Sequence, residues 1–148
     1  MDRQVIRFKK LDPRAIKPTY GTEFSAGADL YALLDEALEI PAHQTRLIHT
    51  GIVVEIPVGM VGLIYARSGL ACERGLAPAN KVGVIDADYR GEIMVALCNH
   101  TDEPQTVDIG ERIAQMVITP FVPAVYEECD ELTDTVRGEG GFGSTGTK

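Results

Sequence analysis

Three side chains that can do chemistry stand close together in the middle of the chain, in the segment Asn80–Ile93 (NKVGVIDADYRGEI). Asp86 directly follows a short apolar run, and Tyr89 and Arg90 come soon after it. The pattern predicts a strand, a tight turn and a second strand, which together make a hairpin over Val82–Met94. An aspartate is ionised at neutral pH, so Asp86 can accept a hydrogen bond from water and activate it. By composition alone, a solvated turn explains the segment as well as a reactive site does.

Two further segments carry groups that suit an anionic ligand. Arg67, Ser68 and Gly69 offer a guanidinium, a hydroxyl and backbone amides at the end of a predicted strand. The segment Arg137–Lys148 (RGEGGFGSTGTK) combines five glycines with one arginine and one phenylalanine. Backbone amides in Gly-rich turns bind anions, and an arginine adds a fixed positive charge. The same composition also fits a disordered tail, so both interpretations stay open at this point.

Most of the remaining chain consists of short apolar or β-branched runs that Gly and Pro separate. These runs are Val5–Leu11, Leu30–Ala32, Leu38–Ile40, Thr45–Ile48, Ile52–Ile56, Val61–Tyr65, Val82–Ile85 and Met94–Cys98. A short helix is predicted at Ser68–Arg74, whereas Ile113–Phe121 fits a strand or a helix by its periodicity. The pattern is typical of an all-β protein, a jelly-roll-like β-barrel with little helix.

Length and composition limit the domain organisation and the class of function. The 148 residues predict one domain over 1–148, with a core over about 1–128 and a flexible Gly-rich C-terminal arm over about 129–148. The formal net charge of −8 argues against broad binding to nucleic acid. No apolar run reaches the ~20 residues of a membrane span, and no His/Cys group has zinc-ligand spacing. The three widely spaced cysteines and the absence of an export signal predict a cytoplasmic protein without a membrane partner.

Five segments resemble, in order, the five motifs of the homotrimeric dUTPase family, the deoxyuridine triphosphate nucleotidohydrolases. They are Ala26–Ala32 (AGADLYA), Ala66–Ala71 (ARSGLA), Gly83–Ile93 (GVIDADYRGEI), Glu111–Ile118 (ERIAQMVI) and Arg137–Gly146 (RGEGGFGSTG). Each segment is short, but five in the family's order in a chain of this length make a specific match. The resemblance implies a β jelly roll, a homotrimer whose active sites are shared between subunits, and a strand at Ile113–Phe121.

The resemblance also implies the reaction and the residues that carry it. Water attacks the α-phosphate of dUTP and gives dUMP and pyrophosphate, which keeps uracil out of DNA and supplies dUMP for thymidylate synthesis. Asp86 is the implied catalytic residue, with Asp88 as the alternative. The implied substrate-binding residues are Arg67, Ser68, Gly69, Asn80, Val84, Ile85, Tyr89, Met94, Gln115, Arg137, Phe142, Gly143 and Ser144. Mg²⁺ is expected to bind mainly through the triphosphate, and Asp29 is assigned to the metal through water, or alternatively to an arginine.

Particular contacts with the nucleotide follow from the same resemblance. Tyr89 packs against the deoxyribose and excludes a 2′-hydroxyl, and Phe142 stacks on the uracil ring. Backbone groups of the Val82–Met94 hairpin read the base edge, Asn80 adds a side-chain contact, and Arg137 closes on the γ-phosphate.

Two other functions stay open beside the hydrolase. A dCTP deaminase-like enzyme of the same fold needs a group that shuttles protons at the base amine, and Glu92 is the nearby candidate. A non-catalytic protein that binds dUTP as a sensor does not need Asp86. The intact GVIDADYRG pattern and the complete tail favour the hydrolase.

Overall fold

The computed structural model describes residues 4–142 and 144, which form twelve β-strands and one α-helix. The strands are β1 (Arg7–Lys10), β2 (Thr19–Tyr20), β3 (Ala28–Tyr31), β4 (Leu38–Ile40), β5 (Thr45–His49), β6 (Ile52–Glu55), β7 (Met60–Tyr65), β8 (Leu76–Pro78), β9 (Gly83–Ile85), β10 (Met94–Asn99), β11 (Gln105–Val107) and β12 (Arg112–Pro120). The helix α1 spans Ser68–Arg74, so the prediction of an all-β protein with one short helix is confirmed. Within the described part of the chain, no helix has the length and apolarity that crossing a membrane requires.

The strands pair antiparallel and form four sheets. The largest sheet has the strand order β2-β3-β12-β7-β9, and a second has the order β5-β10-β8. Two further ladders join β1 to β6 and β4 to β11. The described strands therefore form separate sheets rather than one closed barrel, and strands that follow one another along the chain often belong to different sheets.

The core forms because alternate residues of each strand face inward. In β10, Val95 and Leu97 are buried while Met94 on the other face is exposed. The inward positions supply the largest fully buried side chains, which include Leu30, Ile40, Ile48, Ile52, Leu76, Ile93, Leu97, Val107 and Ile113. The buried Asn99 amide donates to the carbonyls of Ile40 and Glu103, so its burial leaves no unpaired polar group.

Strand β12 holds the large sheet together, because it pairs with β3 on one side and β7 on the other. The strand alternative for Ile113–Phe121 is therefore confirmed, and tertiary pairing decides what the periodicity left open. Gln115 of β12 lies opposite Asp29 of β3 and opposite Tyr65 of β7. This register places Gln115 between the two strands that carry or precede the predicted anion-binding residues.

The segment between β9 and β10 connects two sheets, so the predicted hairpin over Val82–Met94 is wrong. Strand β9 pairs with β7, whereas β10 pairs with β5 and β8. The reason is Ile93, whose side chain is fully buried and whose N–H donates to the Ile52 carbonyl at 2.8 Å. This anchor draws the chain toward β6 instead of back along β9. The tight turn itself is present, since the Tyr89 N–H donates to the Asp86 carbonyl.

Beyond β12 the described chain runs along the outside of the fold. The Phe121 N–H donates to the Gly59 carbonyl at 3.2 Å, and the backbone hydrogen bonds further on are local turns within 135–144. Beyond Phe121, which is 48% exposed, the large apolar side chains are almost fully exposed; they are Val122, Val125, Tyr126, Leu132, Val136 and Phe142. The described segment after Phe121 therefore adds no large apolar side chain to the core of its own chain.

Candidate active site

A buried carboxylate holds two arginines together at one end of the large sheet. Asp29 is only 7% exposed, and its two oxygens accept hydrogen bonds from Nε of Arg67 at 2.8 Å and from Nη1 of Arg112 at 3.2 Å. The two guanidinium groups compensate the burial of the aspartate charge. The Arg67 side chain remains 27% exposed, so its charge is fixed in position and still accessible from solvent.

Gln115 is fixed beside this ion pair by a close approach of two strands. Its Nε2 donates to the Ala66 carbonyl at 2.9 Å. A Cβ on Gly27 would lie 2.3 Å from Oε1 and 3.1 Å from Cβ of Gln115, so a side chain there would displace the Gln115 amide. Gly27 is thus a site-building residue that the sequence analysis missed, and its place two residues before Asp29 was the one available signal.

The start of helix α1 completes this group. Arg67 is the N-cap residue in an extended conformation, and the Ala71 N–H closes the first turn on the Arg67 carbonyl. Ser68 and Gly69 are exposed, and a Cβ on Gly69 would meet no atom within 4 Å. Their amides belong to the first helical turn, where no intrahelical acceptor exists. We call these residues the Arg67 cluster; its members are Asp29, Arg67, Ser68, Gly69 and Gln115.

Asp86 is exposed at the end of β9, where it lines an open cleft of about 750 Å³ together with Asp88 and Arg90. The apolar part of this cleft consists of Val58, Met60, Val61, Leu63, Val84 and Phe121. Nη1 of Arg90 donates to the carbonyls of Ala87 and Tyr89 at 2.7 and 2.9 Å. Arg90 therefore stabilises the turn that presents Asp86.

The Tyr89 ring lies in the space beside Gly91. A Cβ on Gly91 would come within 2.3 Å of Oη and 2.4 Å of Cζ of Tyr89, so a side chain there would displace the ring. The Tyr89 Oη donates to the Glu92 carbonyl at 2.9 Å, which fixes the ring at its far end. Because Tyr89 is 40% exposed, part of the ring remains available to a ligand.

The residues predicted to surround the base lie mainly on β9 and the loop before it. Val84 is exposed on β9 and Ile85 packs against the core. The Nδ2 atom of Asn80 lies 3.5 Å from the point that a Cβ on Gly83 would occupy. Met94 does not belong to this group, because it begins strand β10, which lies in another sheet.

Asp86 and Arg67 lie toward opposite ends of strand β7. Ile85, which precedes Asp86, pairs with Gly62 near the start of β7, whereas Arg67 follows the end of β7. The five residues from Gly62 to Arg67 span roughly 16 Å in an extended chain at about 3.3 Å per residue. Within one subunit, the backbone positions of Asp86 and Arg67 are therefore well separated.

The predicted tail residues are also separate from these two groups. Nε of Arg137 donates to the Gly140 carbonyl at 2.7 Å, which closes a local turn. The Ser144 N–H donates to the Gly141 carbonyl, and the Phe142 side chain is fully exposed. Gly143 lies outside the described residues. The contacts of the described tail residues are thus local to the tail.

Comparison with known families decides the identity of this arrangement. Residues 14–146 match the family model described as dUTPase. The chain belongs to the dUTPase family. It is 47% identical over 146 residues to the deoxyuridine 5′-triphosphate nucleotidohydrolase of Acinetobacter baumannii (strain AYE), covering 95% of this chain and 97% of that protein. It is 50% identical over 133 residues to the enzyme of the same name from Maricaulis maris (strain MCS10), covering 88% of each.

Solved dUTPase structures share the fold. The dUTPase of Staphylococcus bacteriophage 80alpha, solved with dUPNHPP, is 27% identical to this chain and has a TM-score of 0.88, with 98% of this chain and all of that chain covered. The dUTPase from phage phi11 of S. aureus, at 22% identity, has a TM-score of 0.79 and covers 89% of this chain and 100% of its own. The fold of this chain is therefore that of the dUTPases, which is jelly-roll-like as predicted.

Glu92, the candidate proton-shuttling residue of the deaminase alternative, contacts other parts of the protein in this dUTPase fold. Oε1 of Glu92 accepts a hydrogen bond from the Gly51 N–H at 2.7 Å, and Oε2 lies 2.8 Å from Nδ1 of His49. The Glu92 side chain is 17% exposed. A carboxylate held in this way links two loops of the protein and is not directed toward a nucleotide base.

The dUTPase family uses Mg²⁺, and Asp29 was predicted to contact it through water. Both oxygens of Asp29 instead accept hydrogen bonds from arginine, which is the alternative partner. Within residues 4–142 and 144, no group of three His, Cys, Asp or Glu side chains lies together as a metal site. The donors around Asp29 do not fit a resident metal, so the contacts support its role in positioning Arg67.

We expect the replacement of Asp29 by alanine to weaken substrate binding and to destabilise the protein. Two guanidinium groups lose their shared acceptor, which costs about 2 kcal/mol of unfolding free energy and raises KM for dUTP about tenfold. Thermal melting and steady-state kinetics measure the two effects. Asp102→Ala is the matched control, because that carboxylate pairs with His43 at a 95% exposed position. An Asp29→Ala protein with unchanged KM would show that Asp29 does not position Arg67.

Proposed function

We propose that this protein hydrolyses dUTP to dUMP and pyrophosphate in the cytoplasm, and that it acts as a homotrimer with shared active sites. The observation that carries the proposal is that the polar groups of the candidate site lie toward the two ends of strand β7. A guanidinium held by a buried carboxylate lies at one end, and an exposed carboxylate in an open cleft lies at the other. The relative from phage 80alpha, which was solved with dUPNHPP, supports a deoxyuridine triphosphate as the ligand.

The Arg67 cluster is proposed to bind the phosphates. Arg67 supplies charge, Ser68 and Gly69 supply a hydroxyl and amides, and Gln115 adds an amide without charge. Phosphoryl-type transfer depends mainly on position and on stabilising the charge of the transition state. A guanidinium that Asp29 already holds in place needs little reorganisation when the pyrophosphate leaves, so the cluster favours the transition state.

Asp86 is proposed to accept a proton from the attacking water. Its carboxylate is exposed in the cleft, and the hydrogen bonds of Arg90 to the carbonyls of Ala87 and Tyr89 fix the turn that carries it. The water has to lie in line with the bond to the leaving pyrophosphate, so the position of this turn decides the rate. If Mg²⁺ is held mainly by the substrate phosphates, as proposed, it would supply neutralisation of their negative charge, while Arg67 supplies the protein's own positive charge.

Base selection is proposed to use the edge of β9. Because β9 is the last strand of the large sheet, its outer edge has no strand partner within the described residues. The backbone groups of Val84 and Ile85 on such an edge can read a base by hydrogen bonds. The base is therefore proposed to lie at one sheet edge and not in a hairpin, with Asn80 beside it and Met94 as a further contact. Tyr89 is proposed to pack on the deoxyribose.

We expect dUTP to be hydrolysed far faster than UTP, dTTP or dCTP. The Tyr89 ring is proposed to occupy the space that a 2′-hydroxyl would need, and the backbone donors and acceptors of the β9 edge are proposed to pair with uracil. Pyrophosphate release with the four nucleotides side by side measures this selectivity. Chromatography of the products separates the hydrolase, which forms dUMP, from a deaminase, which forms a new triphosphate and ammonia. Comparable rates with UTP or dTTP would rule out this form of recognition.

We expect the deletion of residues 137–148 to remove most of the activity without unfolding the protein. Arg137, Phe142, Gly143 and Ser144 are proposed to close over the bound nucleotide, with Arg137 on the γ-phosphate and Phe142 on the base. The described side chains of this segment are exposed, so its loss removes little core packing. Melting temperature in the absence of nucleotide and dUTP turnover are the two measurements. A melting temperature that falls by many degrees would contradict the proposed role as a lid.

A further inference from the structure

The segment that carries Tyr89 is attached to the β5–β6 turn by an unusually dense set of contacts. Thr50, which is 1% exposed, donates from Oγ1 to the Ile93 carbonyl at 2.6 Å. The Ile93 N–H donates to the Ile52 carbonyl at 2.8 Å. The Gly51 N–H donates to Oε1 of Glu92 at 2.7 Å. We call these residues the clamp; its members are Thr50, Gly51, Ile52, Glu92 and Ile93.

Glu92 is the one member of the clamp whose side chain joins the two segments while its main chain holds the Tyr89 ring. Its carbonyl accepts the hydrogen bond from the Tyr89 Oη at 2.9 Å. Its carboxylate binds Gly51 through Oε1 and lies 2.8 Å from His49 through Oε2. Any movement of Glu92 therefore moves the acceptor on which the Tyr89 hydroxyl depends.

The other side of the clamp is fixed by the backbone. Gly51 has a φ of +67°, and a Cβ there would meet Ala15 at 2.7 Å and Leu33 at 2.8 Å. The Gly51 N–H is thus held rigidly against the core, so it gives Glu92 a stationary partner. The Tyr89 ring is confined at Gly91 as well, because it occupies the space beside that residue.

We propose that Glu92 is a positioning residue for sugar selectivity, which it exerts by holding the Tyr89 ring in place through the clamp. This inference rests on the proposed function, in which Tyr89 excludes the 2′-hydroxyl of a ribonucleotide. A ring held at its hydroxyl end and beside Gly91 cannot move aside for a ribose. Without the Glu92 carboxylate, the segment that carries this carbonyl acceptor loses its side-chain link to Gly51 and is held less tightly, so that the ring can yield.

The test compares kcat/KM for dUTP with kcat/KM for UTP in variants of the full-length protein. In Glu92→Ala the dUTP/UTP ratio is expected to fall about tenfold, the size expected from losing one hydrogen bond to a charged group. The change should come from a lower KM for UTP, while kcat for dUTP stays near wild type. Glu92→Gln retains an acceptor for the Gly51 N–H and should restore most of the ratio. Gly91→Ala displaces the ring directly and should lower the ratio without removing the carboxylate.

The outcomes separate this inference from the proposed function. If the wild-type protein releases no pyrophosphate from dUTP, the proposed function fails and this inference fails with it. If the wild-type protein is selective and Glu92→Ala keeps the same ratio, this inference alone is overturned. Glu55→Ala, which removes the partner of Arg7 in another sheet, is the matched control, and an equal loss there would also overturn it. If Glu92→Ala does not fold, Glu92→Asp decides: the shorter side chain keeps the charge but no longer reaches the Gly51 N–H in the same geometry, and an unchanged ratio rejects the role of Glu92.

Discussion

Asp86→Asn is expected to lower kcat for dUTP by about 10²–10⁴-fold, the usual contribution of a general base. The amide keeps the shape of the side chain, and the exposed position of Asp86 means that the fold loses no buried partner. The charge that polarises the attacking water is lost, whereas the groups that bind the nucleotide are unchanged. Steady-state kinetics give kcat, and calorimetry with dUPNHPP gives the affinity, which should stay close to that of the wild type.

Asp88→Asn is the matched control, because Asp88 lines the same cleft two residues further on. If Asp86 is the base, this second variant keeps most of the turnover. If instead Asp88→Asn loses turnover and Asp86→Asn does not, the catalytic role belongs to Asp88 and the assignment made here is wrong. Melting curves of both variants confirm that the comparison concerns chemistry and not folding.

Local patterns were sufficient to predict most of the secondary structure. The helix at Ser68–Arg74 was predicted with the bounds that the structure has. Strands β2, β8 and β11, which have two or three residues each, were not predicted. The hairpin was predicted wrongly. Two strand-like runs around a turn indicate a hairpin, but the burial of Ile93 against β6 is a tertiary contact that no local pattern contains.

In the candidate site, too, the residue types could be predicted from the sequence, whereas their spatial arrangement could not. The residue types of Arg67, Ser68 and Asp86 were sufficient to nominate them as groups for an anion and a water. An arginine was among the partners predicted for Asp29, but the role of Arg112 was not accessible, because an arginine on a strand is usually a surface charge and this ion pair joins residues 83 positions apart. Gly27 and Gly91 carry no chemistry of their own. Their importance is visible only when a neighbouring side chain occupies the space that a Cβ would need.

The separation of Asp86 from Arg67 leads to the most demanding prediction. Each subunit holds the two groups toward opposite ends of β7, so in the proposed trimer with shared sites a complete site would take Arg67 from one subunit and Asp86 from another. Arg67→Gln removes the charge that binds phosphate, while its amide can still donate to Asp29. Asp86→Asn removes the base. Each variant alone should be nearly inactive, because every site in either trimer lacks one essential group.

Co-refolding the two variants in equal amounts should restore activity. In a randomly mixed closed trimer, a given site receives an intact Arg67 and an intact Asp86 independently, so about a quarter of the sites are complete. Turnover should therefore reach roughly that fraction of the wild-type value.

Mixing the two folded variants without unfolding them is the control, and it should restore nothing as long as subunits do not exchange. Native mass spectrometry has to show mixed trimers in the refolded sample. If those mixed trimers are present and activity stays at the level of the separate variants, both groups act within one chain. The β7 geometry would then have to rearrange when the nucleotide binds, which a structure of the complex would reveal as a shortened distance between Asp86 and Arg67.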